Sequence, residues 1–261
     1  MNETKLPKVS VIIAVYNNKE YLPAAIKSAL TQDYPNLDIY IVDDASPENV
    51  MPELPISTTG GIILNNITER VDEIESYQDR YSVSKPIIYI RLKKNSGPSV
   101  ARNIAIANAM RNGSHLFQIL DSDDQMYPTK VSELIKPILL DPERLACTYA
   151  DYNIVNEQGM VHYESKPAFD FIRLMNGNCD IHSGSLINGL AIKDFYPYFY
   201  PEDQRVAEDL ALWIKIFRQQ HWLAYHVAKP LTYVRSHSND STNSVSKEIW
   251  QKDFQKAMSY R

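Results

Sequence analysis

The chain has 261 residues, 44% of them hydrophobic and 23% charged, with 8 Gly against 15 Pro. That composition excludes a collagenous, low-complexity or generally disordered chain and leaves one large domain, or two small ones that share a core. A net charge of -5 argues against a protein built to grip a phosphate backbone, which needs a broad basic face, so no nucleic-acid partner is expected.

Residues 9–15 (VSVIIAV) form a nearly continuous apolar run rich in β-branched residues. Such a run predicts a strand buried on both faces, as in a parallel sheet. Tyr16-Asn17-Asn18 breaks it. Residues 22–32 have helix character, with Leu22, Ala25, Ile26, Ala29 and Leu30 on one face and Pro23 in the first turn. Residues 37–42 (LDIYIV) predict a second strand, ending in the polar turn Asp43-Asp44-Ala45-Ser46-Pro47. Residues 47–61 are rich in Pro and Gly and predict an irregular loop. Residues 66–81 are polar but helix-compatible, with Ile67, Val71, Ile74 and Tyr77 on one face. Residues 87–92 (IIYIRL) predict a third strand, and Ser99 is a candidate N-cap for a helix to about Arg111. Residues 115–120 (HLFQIL) predict a fourth strand, which runs into Asp121-Ser122-Asp123-Asp124. Pro128 opens a helix through Leu140, and Asp141-Pro142 stops it.

This alternation predicts an α/β protein with a mostly parallel central sheet flanked by helices. The second half is less regular. Residues 145–155 and 159–163 predict a hairpin, and 169–175 a short helix. Residues 208–219 predict an amphipathic helix with Leu210, Trp213, Ile214 and Phe217 on one face. Residues 222–227 and 231–234 predict two short strands, and 245–260 a polar helix. No apolar run approaches the roughly 20 residues that span a bilayer, and MNETKLPK lacks a signal peptide's apolar core. Two Cys, at 147 and 179, fit a reducing compartment.

In parallel sheets ligands bind beyond the carboxyl ends of the strands. Three predicted strands end there in polar or acidic groups: Tyr16-Asn17, Asp43-Asp44 and Asp121 to Asp124. Clustered carboxylates repel one another unless a cation sits among them, and oxygen-only ligands suit Mg2+ or Mn2+ completed by substrate phosphates. The alternative is a solvated acidic turn capping the next helix. Asp43 and Asp44 can accept from a base N–H or a ribose hydroxyl, or can close an Asx turn. Arg102, in the first turn of a helix, is a diphosphate partner or a structural partner of a nearby Asp. Glu208 and Asp209 open their helix either as capping charges or as a general base reaching into a cleft. His237 could complete a metal shell, and His182, in a polar loop, could touch an acceptor.

Taken in register, Val9 to Asn17, Ile41-Val-Asp-Asp-Ala-Ser46, Asn95-Ser-Gly-Pro-Ser-Val-Ala-Arg-Asn103, Leu120-Asp-Ser-Asp-Asp124 and Glu208-Asp-Leu-Ala-Leu-Trp213 resemble the family 2 glycosyltransferases of GT-A fold. The resemblance runs from about residue 8 to 237. It implies a Rossmann-like catalytic domain over 1–240, with a nucleotide-sugar half (about 8–125), a smaller acceptor and base half (about 126–240), and a C-terminal helix or tail (241–261).

It implies an inverting transferase that takes a nucleotide-diphosphate sugar, with UDP as the leading base, to a glycan or lipid-linked saccharide acceptor in surface polysaccharide synthesis. The implied location is cytoplasmic, with peripheral attachment at the inner face of the membrane left open. Tyr16, Asn17, Asp43, Asp44, Arg102, Asp121 and Ser122 would bind the donor. Asp121, Asp123 and Asp124, with His237, would hold Mn2+ or Mg2+. Asp209 would be the catalytic base, with Glu208 beside it. Residues 195–207 (FYPYFYPEDQRVA) are a candidate mobile lid whose aromatics stack on a sugar, or else a loop packed on the core. Two rival readings remain. One is a nucleotidyltransferase, disfavoured because no Gly-rich loop follows the first strand. The other is a non-catalytic sugar-nucleotide or glycan-binding module of the same fold.

Overall fold

In chain order the elements are β1 (Val9–Val15), α1 (Leu22–Leu30), β2 (Leu37–Asp43), β3 (Ile74–Tyr81), β4 (Pro86–Leu92), α2 (Pro98–Arg111), β5 (Leu116–Ile119), β6 (Gln125–Met126), α3 (Lys130–Leu140), β7 (Leu145–Val155), β8 (Val161–Glu164), α4 (Phe171–Met175), β9 (Leu186–Asn188), α5 (Gly189–Ile192), α6 (Glu208–Phe217), β10 (Leu223–Arg235) and α7 (Lys247–Ala257). The structure, a computed structural model, describes residues 6–50, 68–81, 85–204, 206–236 and 247–260.

One sheet runs β3-β4-β2-β1-β5-β9-β7-β10-β6, with β8 added to β7. The pairs β4-β2, β2-β1, β1-β5 and β7-β10 are parallel. The apolar runs form strands because both sheet faces are covered. Val9, Val11, Ile13 and Val15 of β1 lie in one core layer, with α1 and α3 residues such as Ile26 and Leu134. Ile12 lies in the other, with α2 and α6 residues such as Ile104 and Trp213. Helix α2 is buried from Ser99 to Ala109, so it needs no polar face. The order β4-β2-β1-β5 means that the chain builds outward from β1 and then crosses to its other side. In sheets with such a switch point, ligands bind beyond the carboxyl ends of the strands that flank it, here β1 and β5.

Several elements differ from expectation. The helix-compatible stretch at 66–81 is, over its described part, a 3-10 turn (Val71–Glu73) followed by β3, which pairs antiparallel with β4 at the edge of the sheet. Its apolar spacing imitates a helix, but Ile74 packs into the core, and the open edge of β4 supplies the backbone partners. Ser99 is not the N-cap of α2. Gly97 holds that position at φ 90°, and Asp44 accepts from the Ser96 and Gly97 N–H groups at 2.7 Å each. The two short strands at 222–234 are one strand, β10, joined across register shifts on β7 around Pro230. Strand β9, three residues long, inserts antiparallel between β5 and β7.

The glycine after β9 has no room for a side chain. A Cβ on Gly189 would lie 2.7 Å from the His115 carbonyl oxygen and 3.2 Å from the Phe117 ring, while the Gly189 N–H already donates to that carbonyl at 2.8 Å. Gly189→Ala is expected to lower stability by about 2 kcal/mol through overpacking. Urea unfolding should show a lower midpoint with an unchanged m value.

A carboxylate cluster around Arg102 at the switch point of the sheet

Arg102 is the fifth residue of α2 and reaches toward the end of β5 and the start of α6. Its side chain is 7% exposed. Nη2 donates to Asp121 Oδ1 at 2.9 Å and Nη1 to Glu208 Oε1 at 2.7 Å. Nη1 also lies 3.8 Å from Asp209 Oδ1. The guanidinium stands 5.4 Å from the centre of the Tyr200 ring. Of the two roles left open for Arg102, the structure shows the one that holds the carboxylates.

The three acids arrive from different parts of the chain. Asp121 follows β5, and its Oδ2 accepts from the Ser183 hydroxyl at 2.6 Å. Burial pushes the Asp121 carboxyl up, but Arg102 and Ser183 outweigh it and hold it below the usual carboxylate range. Glu208 and Asp209 open α6 after Ala207, whose φ is 56°. A non-glycine residue in that left-handed region is uncommon. The approach to this turn is braced by α7: Asp253 Oδ2 accepts from the Val206 N–H at 3.0 Å and its carbonyl from Gln204 Nε2 at 3.1 Å. Asp209 Oδ1 is buried and accepts no hydrogen bond. Burial raises the Asp209 carboxyl to about 7, with Glu208 and Asp121 adding to the rise and Arg102 opposing it.

The other predicted site residues lie along the same edge. Tyr16, at the end of β1, is exposed. The Asn17 N–H donates to Ser46 Oγ at 2.9 Å, and Asn18 Nδ2 donates to Ser122 Oγ at 2.8 Å. Asp43 is fully buried; its Oδ1 accepts from the Ser46 N–H, and its Oδ2 from the Tyr89 hydroxyl and Arg91. Asp44 is buried as well, and burial raises its carboxyl to about 6 against the pull of the Ser96 and Gly97 N–H groups. Both acids thus build the turns along that edge. Asp124 is buried, and its Oδ1 accepts from the Arg235 N–H at 3.0 Å. Asp123 is half-buried on the same turn, and its carbonyl accepts from Arg235 Nε at 3.3 Å. His237 lies outside the described residues.

Among the described residues no three His, Cys, Asp or Glu side chains converge into a metal cage. Asp121 is tied to Arg102 and Asp124 to the backbone of β10, and Asp123 stands half-buried between them on the turn. A single hard oxygen ligand fits a Mg2+ or Mn2+ ion that takes the rest of its shell from water and substrate phosphates.

Sequence reasoning missed three residues here. Ser183 holds Asp121. Arg235 closes over the acidic turn and stands 4.5 Å from the centre of the Tyr21 ring. Lys130 is a buried ammonium bonded to Thr232 Oγ1 at 2.6 Å, lowered by burial to about 8 although Asp124 and Asp121 oppose the shift. The position of Lys130 in the first turn after the acidic loop was the available signal. The segment 195–207 is anchored in its middle: Phe199 and Tyr200 are buried, and Tyr200 exchanges 2.8 Å hydrogen bonds with Asn103 through its backbone. Tyr196 and Tyr198 remain exposed.

A parallel sheet with a switch point, an acidic turn after β5 and a carboxylate opening α6 are the defining parts of a GT-A glycosyltransferase. The chain belongs to glycosyl transferase family 2, whose family model matches residues 10–52 and 62–194. Glu208 and Asp209 fall beyond the matched residues, yet the fold brings them to Arg102. The chain is 30% identical over 224 residues to an uncharacterised glycosyltransferase of Rickettsia conorii, covering 83% of this chain and 30% of that protein. It is 28% identical to the Escherichia coli UDP-Glc:alpha-D-GlcNAc-diphosphoundecaprenol beta-1,3-glucosyltransferase WfaP, covering 92% of this chain and 82% of WfaP. Its fold resembles that of S. aureus TarS 1-349 in complex with UDP-GlcNAc, with a TM-score of 0.65 at 17% identity over 94% of this chain and 64% of that one. The chain thus spans about a third of the Rickettsia relative. No helix among the described residues is long and apolar enough to cross a membrane.

Proposed function

We propose that the chain is an inverting glycosyltransferase that moves a sugar from a UDP-sugar to a hydroxyl of a glycan or lipid-linked saccharide in surface polysaccharide synthesis, working in the cytoplasm or against the inner face of the membrane. The arrangement around Arg102 carries this reading. One buried guanidinium holds Asp121 and Glu208 by direct hydrogen bonds and leaves Asp209 beside them, its side chain 20% exposed and its carboxyl raised to about 7. A carboxylate so placed takes the proton of an acceptor hydroxyl. The hydroxyl oxygen then bonds to the anomeric carbon from the face opposite the diphosphate. The bond to the diphosphate breaks, and the configuration inverts.

Tyr16, Asn17 and Ser122 border the nucleoside, on a rim shaped by Asp43 and Asp44. Asp121 and Arg102 lie on the sugar side. A bound Mg2+ or Mn2+ would be held by Asp123, with His237 a candidate second ligand, and would supply positive charge beside the departing diphosphate. Asp124 serves to fasten the turn to β10. The UDP assignment is supported by WfaP, which its name makes a UDP-Glc enzyme acting on a diphosphoundecaprenol acceptor, and by TarS, bound to UDP-GlcNAc.

The test is a thermal-shift series with UDP and GDP, with and without Mn2+, on wild type and Asp123→Ala. A ligand that binds only the folded state raises the Tm. The expected result is a Mn2+-dependent rise with UDP that Asp123→Ala loses. No rise with any nucleotide would sink the donor assignment. Binding without transfer to any saccharide acceptor and without donor hydrolysis would favour the non-catalytic binding module.

A further inference from the structure

We propose that His182 reads the transferred sugar, its Nε2–H donating a hydrogen bond to an oxygen of the donor's hexose beside Asp121. The inference rests on the glycosyltransferase reading above and adds a specificity-determining residue to it.

The loop 182–185 leads into β9. Because β9 pairs antiparallel with β5, with Leu186 opposite Gln118, the start of β9 lies at the carboxyl end of β5, next to Asp121. The Ser183 hydroxyl fastens the loop to Asp121 Oδ2 at 2.6 Å. The His182 ring is held from two sides and its backbone from a third. It packs on Tyr152 with 4.5 Å between ring centres. The Gly184 N–H donates to its Nδ1 at 2.9 Å. The Ser185 hydroxyl donates to its carbonyl. Gly184 makes the second contact possible: a Cβ there would stand 3.0 Å from His182 Nδ1 and 2.9 Å from Lys130 Nζ.

The tautomer follows from the geometry. With Nδ1 accepting, the proton of the neutral ring sits on Nε2. Nε2 has no hydrogen-bond partner among the described residues and is not sealed from solvent. Burial, with the like charges of Lys130 and Lys166, lowers the imidazole to about 3 against the pull of Asp121, so the ring is neutral. An oriented donor with no partner of its own contributes binding energy only when an acceptor arrives from outside. Along the carboxyl edge of the sheet the nucleoside rim lies over β2 and β1, Asp121 over β5, and His182 beyond it toward β7. The ligand group in that position is the hexose, and a hydroxyl or N-acetyl carbonyl oxygen would accept.

Calorimetry with Mn2+ should compare UDP, UDP-glucose and UDP-N-acetylglucosamine on wild type, His182→Ala and His182→Gln. His182→Ala is expected to keep its UDP affinity within about twofold and to bind at least one UDP-sugar about tenfold more weakly, the size of one lost hydrogen bond. His182→Gln, whose amide N–H extends toward the Nε2 position, should recover part of the loss. Nitrogen-15 NMR of the wild-type imidazole should show the proton on Nε2. Equal losses for UDP and the UDP-sugars would mean a packing role and overturn the proposal. So would unchanged UDP-sugar affinity with a raised acceptor KM, which would move the contact to the acceptor. Failure of wild type to bind UDP or any UDP-sugar would instead defeat the donor reading on which the proposal stands.

Discussion

Asp209→Asn is expected to reduce sugar transfer by about 10²- to 10⁴-fold, the usual contribution of a positioned general base, while leaving UDP binding intact. The same substitution should make the protein more stable at pH 8. The sign follows from the carboxyl, which burial raises from an ordinary 3.8 to about 7 in the fold. Below pH 4 the carboxyl is protonated both folded and unfolded, and it costs nothing. Between pH 4 and 7 the unfolded chain releases the proton that the fold retains, so stability falls as pH rises through that window, and above 7 the loss is complete. Asparagine never carries the charge. With 20% of the side chain exposed and Arg102 losing one counter-charge, the gain at pH 8 comes to about 1 to 2 kcal/mol. It should vanish near pH 4 in urea titrations. In wild type, kcat/KM should rise with pH and level off above about 7. A variant less stable than wild type at pH 8, or a wild-type rate flat from pH 5 to 8, would remove Asp209 from the role of base.

A buried carboxylate such as Asp209 costs its fold stability, and no local pattern announces it in advance. Strands β1, β2, β4 and β5 were legible because burial on both faces demands continuous apolar runs, and the polar residues ending those runs marked the edge that carries the site. Arg102 was legible as a cation at a helix start and as a partner of a nearby Asp, but which acids it holds was not. Asp121 is 19 residues away and Glu208 is 106, and nothing local encodes a contact that forms only when α2 and α6 pack on the same face. Strand β3 was misread because its apolar spacing fits a helix, while the partner that makes it a strand, the edge of β4, lies outside the segment. Strand β9 was missed because three residues carry no period, although it is β9 that brings Ser183 to Asp121. The acidic turn posed the opposite difficulty. Its three acids looked like one cation site, yet the structure divides them among an Arg102 partner, the half-buried Asp123 and a fastener for β10.

Arg102→Met should be the most damaging single change in the site. Arginine is held here by three carboxylates and lies against Tyr200. Burial disfavours its charge, but Asp209, Asp121 and Glu208 together hold its pKa well above the ordinary value. Methionine fills much of the volume but leaves three acids facing one another with no cation. Removing one partner from a buried ionic network costs about 3 to 5 kcal/mol, so chemical denaturation at pH 8 should show a loss of that order. The loss should shrink at pH 5, because the abandoned carboxylates can take up protons and relieve their repulsion. Transfer should fall as well, since Asp121 and Glu208 no longer have the fork that sets their positions beside Asp209. Arg102→Lys separates charge from geometry. An ammonium restores one positive charge but cannot bond Asp121 and Glu208 through two planar N–H groups at once. It is expected to recover much of the stability at pH 8 and little of the transfer rate. Full recovery of both by lysine would mean that charge alone matters here, and that the fork does not place the base.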